Sequence, residues 1–331
     1  MEMPTSALTG ITLKDMFDAG LHFGHQTKRW NPKMKGYIFD KRNGIHIIDL
    51  TQSVALLDEA CGFLKDTVVA GKKILFVATK KQASELVKEA AESVEQFYMT
   101  ERWLGGTLTN AKTLRSSVKR MRQLQATAKA NGGELSEHKQ ENSMLRRELA
   151  KLEKNLTGVA DMADLPGALV VVDVVREANA VKEAVRLGIP VVAIVDTNAD
   201  PEPIEYVIPG NDDSVNGVKL IIDGFVKVIK DANSEYAAKA AEANAKRAAE
   251  RAARDEADKA ARAERKAKAV KEGGARPARP AKKSGVAASV KAAARAAKEA
   301  AETKAKADLA AKRQAAVAEA EKAVEAAAPQ A

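Results

Sequence analysis

Cys61 is the only cysteine in 331 residues. That excludes an intramolecular disulfide and a thiolate-based metal cluster. Its helical surroundings predict a buried, inert thiol. Aromatic residues make up only 4% of the chain, and none follows Tyr236, so the sequence beyond that point lacks the large apolar groups a core needs. No apolar run approaches the ~20 residues of a membrane span. The first ten residues, MEMPTSALTG, hold no basic segment followed by a hydrophobic one, so no signal peptide is expected. A reducing, cytoplasmic location and no membrane contact fit these absences. Phosphate-binding signatures are missing too. There is no Gly-x-Gly-x-x-Gly and no Gly-x-x-x-x-Gly-Lys-Ser/Thr, and Gly105-Gly106-Thr107 is too short to be either. No Ser/His/Asp or Cys/His arrangement stands out, and no cofactor is expected.

Net charge is +9 but unevenly spread. Residues 237–331 hold 23 Lys+Arg against 13 Asp+Glu, which leaves 31 basic and 32 acidic groups in the first 236. The basic balance therefore belongs to the tail. Within the first 236 residues, positions 102–154 carry 12 basic and 5 acidic residues. Any nucleic-acid surface in the body must be local.

Residues 168–201, ALVVVDVVREANAVKEAVRLGIPVVAIVDTNADP, organise the body. Two apolar runs, 168–172 and 191–195, flank a helical pattern over 178–187, where Val181 and Val185 share a face and Gly188 and Pro190 stop the helix. This is a βαβ signature. Neither run alternates with polar residues, so both strands should be buried on both faces of a parallel sheet. Each ends in polar residues: Asp173 after the first, then Asp196, Thr197, Asn198 and Asp200 after the second. Strand carboxyl ends are where such sheets place contacts.

In chain order, residues 12–19 read as a short amphipathic helix. Residues 20–34, GLHFGHQTKRWNPKM, read as a loop, with cations interleaved with Trp30 in a way that suits RNA; packing of Trp30 in the core is the equal alternative. Asn43-Gly44 between apolar runs marks a β-hairpin. Thr51 is expected to cap a helix reaching about Ala70, with Gly71 ending it. A strand over 73–78, a helix over 84–95 and a strand over 97–99 follow. The repeated strand–helix pattern predicts an open α/β sheet with helices on both faces. Residues 206–208 predict a last strand, and 214–236 a closing helix with Val218, Ile221, Ile222, Phe225, Val226 and Ile229 on its apolar face.

Residues 103–156 interrupt this pattern. No proline lies between Pro32 and Pro166, so long helices are permitted. Leu114, Val118, Met121 and Leu124 form one narrow seam and Leu145, Leu149, Leu152 and Leu156 a second, with Asn131-Gly132-Gly133 between them. The pattern predicts an inserted antiparallel coiled-coil hairpin. Its basic residues, among them Arg115, Lys119, Arg120 and Arg122, tilt the reading toward an arm that lies on phosphates. Residues 1–236, with this insertion, make one α/β domain. Residues 237–331 have no core and predict a disordered or partly helical tail; it is either an appendage without a dedicated partner or a source of non-specific RNA affinity.

His22 and His25, with Asp196 and Asp200, could ligate one divalent ion if the fold brought them close. Local packing of the histidines is the favoured reading. Lys80 and Lys81 sit at a strand end where a phosphate could bind.

Several segments, in order, resemble the bacterial small-subunit ribosomal protein S-two family. They are Gly20-Leu21-His22-Phe23-Gly24-His25 with Trp30-Asn31-Pro32-Lys33-Met34, then 45–50 (IHIIDL), 76–83 (FVATKKQA) and 102–110 (RWLGGTLTN). The series ends with 188–193 (GIPVVA), Asp196-Thr197-Asn198, Asp200-Pro201 and 208–212 (IPGND). The resemblance covers residues 11–230. It implies a flavodoxin-like domain with an inserted helical hairpin and a non-enzymatic role: binding small-subunit ribosomal RNA, contacting other small-subunit proteins, and helping recruit the large RNA-binding protein S-one. The matched motifs carry over Lys28, Arg29, Trp30, Asn31, Lys33, Lys80, Lys81, Arg102, Trp103 and Asn110 as RNA contacts. The competing readings are a metal- or nucleotide-dependent α/β enzyme and a protein adaptor.

Overall fold

The computed structural model describes residues 5–239; the expectations for the tail lie, from residue 240 on, outside the described residues. Helix α1, Leu13–Asp18, opens with a reciprocal cap: Asp15 N donates to Thr12 Oγ1 at 3.1 Å and Thr12 N donates to Asp15 Oδ2 at 2.9 Å. Such a box satisfies two donors the first turn leaves open. Strand β1, Phe23–Gln26, follows, within the segment whose glycines predict a loop. It pairs with a strand twenty residues downstream, a non-local partner that periodicity does not reveal. Strands β2, Ile38–Arg42, and β3, Ile45–Ile48, flank the expected turn. Asn43 (φ 51°) and Gly44 (φ 76°) are both left-handed there, as a two-residue hairpin turn requires. The three strands form an antiparallel sheet in the order β1-β3-β2.

Helix α2, Leu50–Val69, is capped by Asp49 rather than Thr51: Thr51 N donates to the Asp49 carboxylate at 3.0 Å. Strand β4, Ile74–Val77, helix α3, Lys81–Ser93, and strand β5, Phe97–Met99, come next. Helix α3 starts three residues before the expected Ser84. The insertion comprises α4, Ala111–Ala130, and α5, Lys139–Leu156. All four α4 seam residues are buried, whereas Leu145, Leu149 and Leu152 of α5 are half-buried and only Leu156 is fully covered. Then β6, Ala168–Val172, α6, Ala178–Leu187, and β7, Val191–Val195, match the expected βαβ unit residue for residue. Gly188 (φ 67°) takes the left-handed cap of α6, which glycine enters without a Cβ penalty. Val181 packs inward, but Val185 lies 51% exposed; Ala180, Val181 and Ala184 face the sheet and leave Val185 at the outer edge. Strand β8, Tyr206–Pro209, and a helix over 215–239, α7, complete the body.

The five-stranded sheet is wholly parallel, in the order β5-β4-β6-β7-β8. Taken along the chain, that is the 2-1-3-4-5 order of flavodoxin-like folds. Both faces are covered, which explains the unbroken apolar runs. Ile74, Phe76, Val170, Val172, Val192 and Ile194 pack on one side with residues of α2, α3 and α7. Leu75, Val77, Leu169, Val171, Val191 and Ala193 pack on the other with α4, α6 and Trp103. Each buried valine or leucine contributes about 1.5–3 kcal/mol. The strand order reverses between β4 and β6, and their carboxyl ends open toward the small antiparallel sheet.

Candidate nucleic-acid interface

The small sheet presents the segment between β1 and β2. Lys28 and Arg29 are exposed on a one-turn 3-10 helix, Thr27–Arg29. Asn31 caps a second such turn, Pro32–Tyr37, by accepting from Lys33 N at 3.0 Å. It also ties the segment to the main sheet, because Asn31 N donates to Thr197 O at 2.7 Å. The half-buried Trp30 ring lies 5.3 Å from the His46 ring, tilted by 43°. Trp30 is therefore partly packed and partly presented. Lys33 donates to Asp200 Oδ2 at 2.9 Å and also contacts Glu202; both carboxylates hold its ammonium above the usual lysine range, Glu202 the more strongly.

At the hairpin base, Arg102 is exposed but Trp103 is buried. The Trp103 indole N–H donates to Glu183 Oε1 at 3.1 Å. The same carboxylate accepts from Gly106 N at 2.7 Å, Leu108 N at 3.1 Å, Thr109 N at 3.2 Å and Thr109 Oγ1 at 3.1 Å. Partial burial works against the Glu183 charge, but these donors outweigh it and depress the pKa. Asn110 sits at the start of α4 and its Oδ1 accepts from Thr113 Oγ1 at 3.1 Å. Three of the expected hairpin cations have internal partners. Arg115 donates to Ala163 O, Arg122 to Asp161 Oδ1 at 2.5 Å and Ala160 O at 2.9 Å, and Arg120 to both oxygens of Glu148 at 3.0 and 3.3 Å. Lys119 is exposed.

The crevice at the sheet's carboxyl ends is acidic. Lys80 is nearly buried, with Nζ 2.5 Å from Asp213 Oδ1, 2.9 Å from Asp212 Oδ1 and 3.7 Å from Asp173 Oδ2. Burial opposes its charge, but Asp213 and Asp212 overcome that and hold its pKa up. Asp212 is itself pushed up to about 6, first by burial and further by Asp196 and Asp173, against the opposing pull of Lys80. Both partners rise, Lys80 because two carboxylates favour its charge and Asp212 because burial and its acidic neighbours outweigh the ammonium. Beside them, Arg176 Nε donates to Thr79 Oγ1 at 2.8 Å and Thr79 donates to buried Glu177. Lys81 is exposed at the start of α3. Nucleotide phosphates would meet Asp173, Glu177, Asp212 and Asp213 here, so the crevice repels the ligand this fold commonly holds.

The four residues considered together for a metal do not all meet. His25 Nδ1 lies 2.9 Å from Asp196 Oδ2. His22 instead stacks on Phe17, with ring centroids 4.2 Å apart, and Asp200 engages Lys33. Burial pulls His22 below the usual histidine range. Glu183, Asp212 and Asp213 were not singled out by sequence reasoning. Asp212 and Asp213 follow β8 just as Asp196 follows β7, which is the signal that marks them. Glu183 carries none, because its donors come from a loop 74–80 residues away.

The family model of ribosomal protein S2 matches residues 16–232. The chain belongs to the ribosomal protein S2 family. The small ribosomal subunit protein uS2 of Corynebacterium urealyticum is 50% identical over 235 residues, covering 70% of this chain and 87% of that protein. The namesake from Solibacter usitatus is 48% identical over 235 residues, covering 71% and 76%. As a ribosomal S2-family protein, the chain is a structural constituent of the small ribosomal subunit in translation, not an enzyme. The family match spans the small sheet, the helical insertion and the acidic crevice, and ends before the alanine-rich tail. Among the described residues no helix is long and apolar enough to cross a membrane.

Proposed function

We propose that the chain binds small-subunit ribosomal RNA, with the small antiparallel sheet as its principal contact. The observation that carries this reading is a local charge excess. Residues 23–48 hold Lys28, Arg29, Lys33, Lys35, Lys41 and Arg42 against one acid, Asp40. All six cations are exposed. Trp30 and Asn31 fix the loop that carries the first three. Lys81, Arg102 and Lys119 extend the footprint from separate elements. Arg120 and Arg122 would join it by exchanging exposed carboxylate partners for phosphate, an exchange that costs little because exposed ion pairs contribute only about 0–1 kcal/mol, and Arg115 by giving up the Ala163 carbonyl oxygen. Lys80, Trp103 and Asn110 act within the protein, holding the loops that present the others.

The chain also offers a face to protein. Phe17, Phe23, Phe39 and Ile45 are exposed together around a hollow of about 540 Å³. Clustered exposed apolar groups mark protein contacts, and the resemblance to the S-two family points to the large RNA-binding protein S-one as the occupant.

Small subunits assembled with Lys28→Glu/Arg29→Glu protein test the first reading by sedimentation at rising salt. Release at lower salt than wild type is expected, since phosphate contacts are lost by counterion uptake. Co-sedimentation identical to wild type at every salt concentration overturns it. For the second reading, subunits carrying Phe39→Asp should hold less S-one; unchanged S-one content refutes that assignment.

A further inference from the structure

A hollow of about 670 Å³ lies at the base of the helical insertion, between α4 and residues 159–163, the segment that returns the chain from α5 to β6. Leu114, Val118 and Ala126 line it from α4, and Val159 and Met162 from the return segment. Its volume is that of a small-molecule pocket, and its walls are aliphatic. Its rim is cationic. Arg115, Lys119 and Arg122 stand four and three positions apart on α4, which sets them in one stripe about 10 Å long. Helix α4 holds no acidic residue. Asp161 is the one acid among the lining residues, and its side chain is 85% exposed.

A ligand for this hollow must carry an apolar body and negative charge together. Hydrogen bonds narrow the choice. Arg115 reaches across to Ala163 O, and Arg122 to Ala160 O and Asp161 Oδ1, so two guanidinium groups bridge α4 to the return segment. An amphipathic helix of a protein partner, about 10–12 Å across, would have to push both aside. A flat base needs only the gap between them. Single-stranded RNA meets these terms: unpaired bases splay out of loops and bulges and stack on guanidinium planes, while the phosphates follow a cationic groove. A paired base would first have to leave its stack, at a cost in free energy.

We propose that this hollow receives one unpaired base of the small-subunit RNA, with the phosphates on either side held by Lys119 and by the two arginines as they exchange their internal partners. The site rests on the RNA reading and gives the helical insertion a task within it. The small sheet binds phosphates wherever they run, whereas the hollow demands a free nucleotide at one place. Recognition is by fit and by the base being unpaired, because aliphatic walls present no hydrogen-bonding pattern to tell one base from another.

The test uses the full chain and protein-free RNA extracted from the small subunit, in filter binding over a range of potassium chloride concentrations. The bound RNA is probed with dimethyl sulfate and a carbodiimide, which between them modify all four unpaired bases. Ala126→Phe and Ala163→Phe each add a ring to the hollow from an exposed position, one from each wall, and leave every charge in place; circular dichroism checks that they fold. Affinity should fall about tenfold in both with the salt slope unchanged, and a base that wild type protects should become reactive again. Lys119→Glu should instead flatten the slope. Ala150→Phe, exposed on α5 outside the hollow, should bind as wild type. Wild-type affinity in both ring variants overturns the proposal and leaves the RNA reading standing, as does an equal loss in Ala150→Phe or a loss that comes with a flatter slope. Full RNA affinity with one neighbouring protein missing from reconstituted subunits assigns the hollow to that protein and overturns it too. Absent or salt-insensitive binding by wild type brings down both the site and the RNA reading.

Discussion

Trp103 donates its indole N–H to Glu183 Oε1 at 3.1 Å, and so joins the entrance of the helical insertion to α6 across 80 residues of sequence. With the donors from Gly106, Leu108 and Thr109, the carboxylate becomes the hub around which residues 103–109 fold.

Replacing this hub should be destabilising. Glu183→Ala leaves several amide donors and an indole N–H without their acceptor, and a cost of about 2–4 kcal/mol is expected by urea unfolding. The pH dependence has a defined sign. The Glu183 pKa is lowered on folding, so its stabilisation is complete above the ordinary glutamate value near 4.5 and fades as pH falls through the lower folded value. The gap between wild type and Glu183→Gln should therefore be larger at pH 7 than at pH 3.5. An equal gap at both would show that the charge is not what the loop needs.

Lys80→Met tests the buried ion cluster. Removing the ammonium leaves Asp212 and Asp213 facing one another with their main cation gone. Loss of about 3–5 kcal/mol is expected, measured by denaturant midpoint at neutral pH. A change below 1 kcal/mol would mean the carboxylates find another partner.

Cys61 is fully covered in the α2 face of the core, and burial pushes its thiol up to about 12. Only the thiolate reacts readily. The folded protein should therefore resist Ellman's reagent at pH 8, and one thiol should titrate once urea unfolds it. Prompt labelling of the native chain would contradict the packing.

Gly158 follows the insertion, where a Cβ would collide with the Tyr98 carbonyl oxygen and ring. Since the backbone of β5 cannot yield as a flexible side chain can, Gly158→Ala should lower stability by several kcal/mol or abolish soluble accumulation. Gly132→Ala serves as a comparison: no atom stands near its Cβ, so the cost should be limited to that of its left-handed φ of 65°. Equal behaviour of the two variants would argue against close contact at Gly158.

How far the sequence reveals this molecule depends on how local each cause is. The βαβ unit from Ala168 to Val195 is legible to the residue because strand burial, helix periodicity and the Gly188 cap all act within a few positions. The Asn43-Gly44 turn is legible for the same reason. Strand β1 is not, because Phe23 and Gln26 find their partners only in Ile47 and Ile45, and its glycine is selected by tertiary crowding. A Cβ on Gly24 would stand 2.6 Å from Thr197 Cγ2. The hairpin's charge bias is visible in the sequence, but not that Arg120 meets Glu148 or that Arg122 meets Asp161. Of the four residues considered together for a metal, His25 and Asp196 approach across the fold, whereas His22 stacks on Phe17 and Asp200 engages Lys33, partners that spacing does not reveal.

The docking of β1 also imposes a schedule. His25 N donates to Thr197 Oγ1 at 2.9 Å over a separation of 172 residues, and Asn211 N reaches back to Leu21 O at 3.1 Å. A chain emerging from its amino end makes the Lys28–Arg29 segment early but has nowhere to seat it until β7 and β8 have left the exit tunnel. Contacts this distant are slow to close. The basic loop is therefore the first cationic surface translated and among the last to take its final shape, so a nascent chain cannot grip RNA in its finished geometry before its own body is almost complete.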